Sequence, residues 1–134
     1  MATATINYIG GLRSNCTHLQ SGSTIVTDAP TDNMGKGEAF SPTDLLSTSL
    51  ASCMLTTMGI VAQRENIPFP NASAEMTKVM ASNPRRVAQI IVKVKMPKVE
   101  YTDQQKKLLE DTGYNCPVAK SLNPDVIQEI SFEY

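Results

Sequence analysis

The sequence predicts an α+β fold, small antiparallel sheets gathered around one long buried helix, and three observations carry that reading. From Asp44 to Arg64 no charged residue intervenes, and Leu45, Leu46, Leu50, Met54, Leu55, Met58 and Val61 spread around most of a helical cylinder. A helix that is apolar or small on nearly every side belongs in an interior. The strand-like segments come in runs on either side of it instead of alternating with helices, which is the α+β pattern. The clearest of them, Arg86 to Met96, places Ile90, Val92, Val94 and Met96 on one face and Lys93 and Lys95 on the other. That is the period of two expected of a half-solvated antiparallel strand.

The remaining elements follow in order. Ala2 to Ile9 alternates as a strand and stops at Gly10-Gly11; Cys16–Gln20 and Ser23–Thr27 form a hairpin around Ser21-Gly22; Asp28–Phe40 is a loop. The central helix starts with Ser41 as cap, Pro42 at the first helical position and Asp44 three residues on, which is capping-box spacing with a carboxylate at the positive end of the helix dipole. It ends near Asn66, before Pro68 and Pro70. Asn71–Ala81 is a strand, and Ser82-Asn83-Pro84 turns the chain into Arg86–Met96. Thr102 and Gln105 cap a second helix that Gly113 stops. Cys116-Pro117 opens a short helical turn before Asn123-Pro124, and Val126–Tyr134 is the closing strand.

At 134 residues, with no linker or repeat, the chain is one domain, 1–134. Because one small sheet covers only one side of the central helix, a second copy of the chain is expected to cover the rest, giving a homodimer. A net charge of -1 argues against a nucleic-acid partner. The central helix approaches the length of a membrane span, but Ser47, Thr48, Ser49, Ser52, Thr56, Thr57 and Gln63 make it too polar, so no membrane is expected. The N-terminal residues carry neither a basic nor an apolar leader region, which predicts a cytoplasmic protein.

Three cysteines without a leader do not read as a disulfide framework. Cys53, in the middle of the buried helix, reads equally as core packing or as a functional thiol. Cys116 stands at a helix start, where free N–H groups and the helix dipole favour a thiolate, so local reasoning makes it the more acidic thiol. Cys16 and His18, the single histidine, share one side of a strand. With Cys53 and Cys116 they have the ligand types of a metal site but no metal-binding spacing, so neither metal nor cofactor is expected. Gly35-Lys36-Gly37 lacks the phosphate-loop pattern, and one histidine on a hairpin is a poor general base for a Cys–His hydrolase.

Glu38-Ala-Phe-Ser-Pro-Thr-Asp-Leu-Leu46, then Leu50-Ala-Ser-Cys53-Met, and Asn115-Cys116-Pro117-Val-Ala-Lys-Ser-Leu122 together resemble the two cysteine motifs of the OsmC/Ohr family. The likeness extends to the N-terminal strand ending Tyr8-Ile-Gly-Gly-Leu-Arg13. It implies an OsmC-like fold, a tightly interlocked homodimer with active sites at the subunit interface, and a thiol peroxidase that reduces organic hydroperoxides, and to some degree hydrogen peroxide, in oxidative-stress defence. By the same resemblance Cys53 is the peroxidatic thiol, Cys116 the resolving thiol and Arg13 the countercharge, with a dithiol such as a lipoylated protein as reductant. This order reverses the local helix-cap argument. The peroxidase branches place an acid directly after the proline to hold the arginine; here that position is Thr43, and Asp44 and Glu38 are the two acids at hand. The departure keeps a second reading open: a non-catalytic small-molecule-binding or thiol redox-sensor protein on the same fold.

Overall fold

A computed structural model describes all of residues 1–134. The chain falls into two compact units, Met1–Leu46 and Ser47–Tyr134.

The first unit is a meander of three antiparallel strands, β1 (Ala4–Gly10), β2 (Arg13–His18) and β3 (Thr24–Asp28), in the order β1-β2-β3. The tight β1–β2 connection needs the left-handed backbone that glycine supplies, and Gly10 (φ 84°) and Gly11 (φ 62°) supply it. β2 begins at Arg13, three residues before the expected start at Cys16. Backbone pairing set by the turn extends the strand through Arg13, Ser14 and Asn15, residues whose side chains show no strand preference. A single 3-10 turn, Thr31–Asn33, interrupts the expected loop. Within this unit the buried residues are Thr27, Asp28 and Ser41, none of them apolar, while Ile6 and Tyr8 stand 64% and 69% exposed.

The second unit is built on the long helix α1 (Pro42–Arg64), whose first turn lies in the preceding unit. Ser41 and Asp44 form the expected reciprocal cap: the Asp44 amide donates to Ser41 Oγ and the Ser41 amide to Asp44 Oδ2, both at 3.0 Å. At its far end Asn66 takes a left-handed conformation (φ 56°), and the Ile67 and Asn66 amides donate back to the Ala62 and Gln63 carbonyls, a Schellman closure.

β4 (Ser73–Ala81), β5 (Arg86–Lys95) and β6 (Ile127–Glu133) make the second sheet, with β5 central. The β4–β5 pair is antiparallel, but β6 runs parallel to β5, so this sheet is mixed rather than wholly antiparallel. The two helices between β5 and β6 supply the long crossover that a parallel pair requires. Ile90, Val92, Val94 and Met96 are all buried and Lys93 and Lys95 exposed, the faces that the alternation predicts. They form one core with Leu50, Met54 and Met58 of α1 and with Leu109 of α2 (Asp103–Tyr114).

α2 has the predicted Thr102–Gln105 capping box, but Gly113 does not stop it. Gly113 is a packing residue: a Cβ added there would stand 3.1 Å from Met58 Sδ and 3.4 Å from Met54 Cε and Phe132 Cζ. The helix ends one residue later, and α3 (Pro117–Ser121) follows with Cys116 as its cap residue. The α+β class and the central helix therefore stand as the sequence predicts. The expected all-round burial of α1 does not hold for a single chain, because Leu46 and Ile60 on it are 43% and 59% exposed.

Candidate active site

Two of the sequence-predicted residues meet in the second unit. Cys53 sits in the fourth turn of α1, half-buried, with Thr57 one turn further on. Cys116 is fully buried at the start of α3, beside Cys53, and all three cysteines of the chain are free thiols. The break between α2 and α3 makes this juxtaposition. Gly113 lets α2 approach α1 closely, Pro117 restarts the chain as a helix, and the first amides of α3 are left without intrahelical acceptors.

The two thiols titrate in opposite directions. Burial is the largest influence on Cys53 and works against its thiolate, but hydrogen bonds from the Val118 amide, the Thr57 hydroxyl and the Cys116 thiol outweigh it together. The Cys53 thiol is held below its ordinary range. Burial pushes the Cys116 thiol up, and the adjacent Cys53 sulfur pushes it further. This corrects the helix-cap argument that made Cys116 the more acidic. α3 is only five residues long, and although the Ala119 and Val118 amides favour the Cys116 thiolate, full burial of the sulfur and the adjacent Cys53 outweigh them. The positive end of α3 serves both sulfurs: the Val118 amide favours the Cys53 thiolate as well as that of Cys116, and only at Cys53 do the hydrogen bonds outweigh burial.

Arg13 lies in the first unit at the start of β2, directly across from Asp28 of β3. Its Nη2 is 3.2 Å from Asp28 Oδ2 and 3.2 Å from Glu38 Oε2. Asp28 has no exposed side-chain surface; its Oδ2 also accepts the Glu38 amide at 3.0 Å, and its Oδ1 has no partner. The Glu38 amide, and after it the Arg13 guanidinium, hold the Asp28 carboxyl below the usual carboxylate range against the opposing effect of burial. Of the two acids anticipated for the arginine, Glu38 is one of its partners, and Asp44 closes the cap of α1. Asp28 escaped sequence reasoning, which ended the hairpin at Thr27. The expected two-residue turn at Ser21-Gly22 would pair Cys16 with Thr27 and Arg13 with Pro30; the observed register pairs Cys16 with Ile25 and so puts Asp28 opposite the arginine. Thr57 was detectable, as the residue one helical turn from Cys53.

The remaining candidates lie elsewhere. Cys16 pairs across the first sheet with Ile6 and Ile25, and His18 Nδ1 is 2.6 Å from Ser21 Oγ.

An α+β chain in which a long core helix carries one thiol and a Cys-Pro helix start presents a second defines a class of two-cysteine proteins. The family model described as OsmC-like protein matches residues 35–130, and the chain belongs to that family. A crystal structure from Psychrobacter arcticus 273-4, provisionally described as an osmotic-stress-induced and detoxification-response protein, is 50% identical, with a TM-score of 0.94 over 99% of this chain and 96% of that one. An organic hydroperoxide resistance protein OsmC from Legionella pneumophila shares the fold at 15% identity, with a TM-score of 0.77 over 100% of this chain and 98% of that one. The organic hydroperoxide resistance protein OhrB of Bacillus subtilis does so at 16% identity, with a TM-score of 0.71 over 98% of each chain. A search of curated proteins finds no match.

Proposed function

We propose that this protein is a cysteine-based peroxidase that reduces organic hydroperoxides in oxidative-stress defence. The observation that carries the reading is the Cys53–Cys116 pair: two free thiols in contact, the half-buried one below its ordinary pKa and the fully buried one above it. A nucleophile needs the first property, and a resolving thiol that must stay quiet until needed suits the second.

The Cys53 thiolate attacks the terminal oxygen of the hydroperoxide. The O–O bond breaks, the leaving alkoxide takes up a proton to become an alcohol, and Cys53 is left as a sulfenic acid. Cys116 then attacks that sulfur, the hydroxyl leaves as water, and a Cys53–Cys116 disulfide forms before further oxidation. An external dithiol, such as a lipoylated protein, exchanges with this disulfide and returns both thiols. Leu55 and Met54 beside Cys53 in sequence, and the apolar core they join, favour a greasy hydroperoxide over hydrogen peroxide. Arg13 is assigned as the countercharge. Both of its ion pairs go to Nη2, which leaves Nη1 and Nε as donors for an anion.

The reading extends to a homodimer formed by a single domain, 1–134, working in the reducing cytoplasm without nucleic-acid or membrane partners. The exposed Ile6, Tyr8 and Ile25 of the first sheet, and Leu46 and Ile60 along α1, are apolar surface that a second copy would cover. Sedimentation equilibrium should therefore return twice the chain mass of 14.6 kDa. The deciding assay is consumption of cumene hydroperoxide with a dithiol reductant. Native protein should consume it catalytically and Cys53→Ser should not; equal rates would remove the mechanism.

A further inference from the structure

Resting on the reading of Cys53 as the attacking thiol, we propose that Thr57 is a further catalytic residue, whose hydroxyl donates a hydrogen bond to the Cys53 sulfur and steadies the anion that attacks. A hydroxyl inside a helix ordinarily donates to the carbonyl four residues back. The chain does this elsewhere: Thr112 Oγ1 donates to the Leu108 carbonyl at 2.7 Å and Ser121 Oγ to the Pro117 carbonyl at 2.8 Å. Thr57 departs from this pattern. Its Oγ1 is 3.7 Å from Cys53 Sγ, and the sulfur takes the place of the carbonyl as its partner.

The spacing makes the contact geometric. Residues four apart on a helix lie on one face a turn apart, so the threonine hydroxyl and the cysteine sulfur meet without distorting α1. A hydroxyl both donates and accepts, and so serves either state of the sulfur. It accepts from the neutral thiol, and once that proton has left it rotates to donate to the thiolate. Valine at this place would keep the shape and remove both capacities. Serine would keep the hydroxyl and remove only a methyl group.

The test is site-resolved alkylation of the full-length chain by iodoacetamide across a pH series, read by peptide mass spectrometry for native protein, Thr57→Val and Thr57→Ser. Loss of one hydrogen bond to the sulfur should raise the pH midpoint for Cys53 in Thr57→Val by about one pH unit, with a five- to tenfold slower reaction near pH 7 on the order expected of one such bond. Thr57→Ser should stay within about twofold of the native rate, because the donor remains. Alkylation of Cys16, which lies in the first sheet, should be the same in all three and serves as an internal reference, while an unchanged urea-unfolding midpoint reports an intact fold. Should Thr57→Val fail that check, Thr57→Ala takes its place with the same expected shift. An unmoved Cys53 midpoint in the valine or alanine variant overturns the proposal, as does a serine variant that shifts as far as valine, which would assign the effect to packing. If the midpoint moves as expected but the native chain consumes no hydroperoxide, the peroxidase reading fails and Thr57 stands as the residue that tunes the thiol.

Discussion

Replacing Cys116 separates its two roles, because serine and alanine remove different things. In the reduced protein the Cys116 thiol is one of three donors that favour the Cys53 thiolate, with the Val118 amide and the Thr57 hydroxyl. Serine keeps a donor there but cannot form a disulfide; alanine removes both. A single hydrogen bond is worth about 1 kcal/mol, and one pH unit corresponds to about 1.36 kcal/mol. Cys116→Ala should therefore move the Cys53 alkylation midpoint up by about 0.7 of a pH unit, a roughly fivefold loss of thiolate near neutrality. Cys116→Ser should leave it near the native value. Without added reductant, one equivalent of cumene hydroperoxide should convert native protein to a form lacking two hydrogens, the Cys53–Cys116 disulfide. Cys116→Ser should instead gain one oxygen on Cys53, and a second with excess peroxide, because nothing intercepts the sulfenic acid. Intact-mass spectrometry after rapid mixing reads all three species. The reasoning is refuted if Cys116→Ser loses two hydrogens as native protein does, or if the first oxygen adds to Cys116 in native protein.

Two further outcomes follow from the geometry. The Asp28 carboxyl is held low in the folded chain, so its contribution to stability is present above its ordinary value of 3.8 and is lost as pH falls through the lower folded value. Asp28→Asn should flatten the acid limb of a stability-versus-pH curve measured by urea unfolding, and should loosen Arg13; an acid limb identical to native would show that Asp28 plays no such part. At Gly113 a new methyl would meet only the flexible ends of Met58 and Met54 and the edge of Phe132. Gly113→Ala should change stability by less than about 1 kcal/mol, its helix-propensity gain offsetting the contact, whereas Gly113→Val should cost about 1–3 kcal/mol in chemical denaturation. A valine variant as stable as native would mean that the interface between α1 and α2 is looser than these distances state.

Local chemistry was legible in the residues wherever it operates within a few positions. Ser41 with Asp44 and Thr102 with Gln105 both form the capping boxes their spacing announces, and the alternation in β5 sorts Val92 inward from Lys93 outward. The uncharged stretch after Asp44 identified the central helix. The paired cysteine motifs, by resemblance, pointed to Cys53 and Cys116 and to the family. These signals survive because capping, periodicity and motif spacing depend on neighbours along the chain.

What the residues could not settle depends on partners distant in sequence. Gly113 reads locally as a stop, but tertiary contact with Met54 and Met58 makes it a spacer inside a helix. β6 reads as one more strand, and only the crossover through α2 and α3 makes it parallel to β5. Cys116 reads as the acidic thiol from its cap position. Burial, a property of the whole fold, reverses that order by outweighing the α3 amides at Cys116 but not the hydrogen bonds at Cys53. The sequence by itself singled out Cys53, Cys116 and Arg13 as the candidates for chemistry. The tertiary structure decided which thiol is acidic and which acids hold Arg13, because desolvation and cross-strand pairing exist only once the chain has folded.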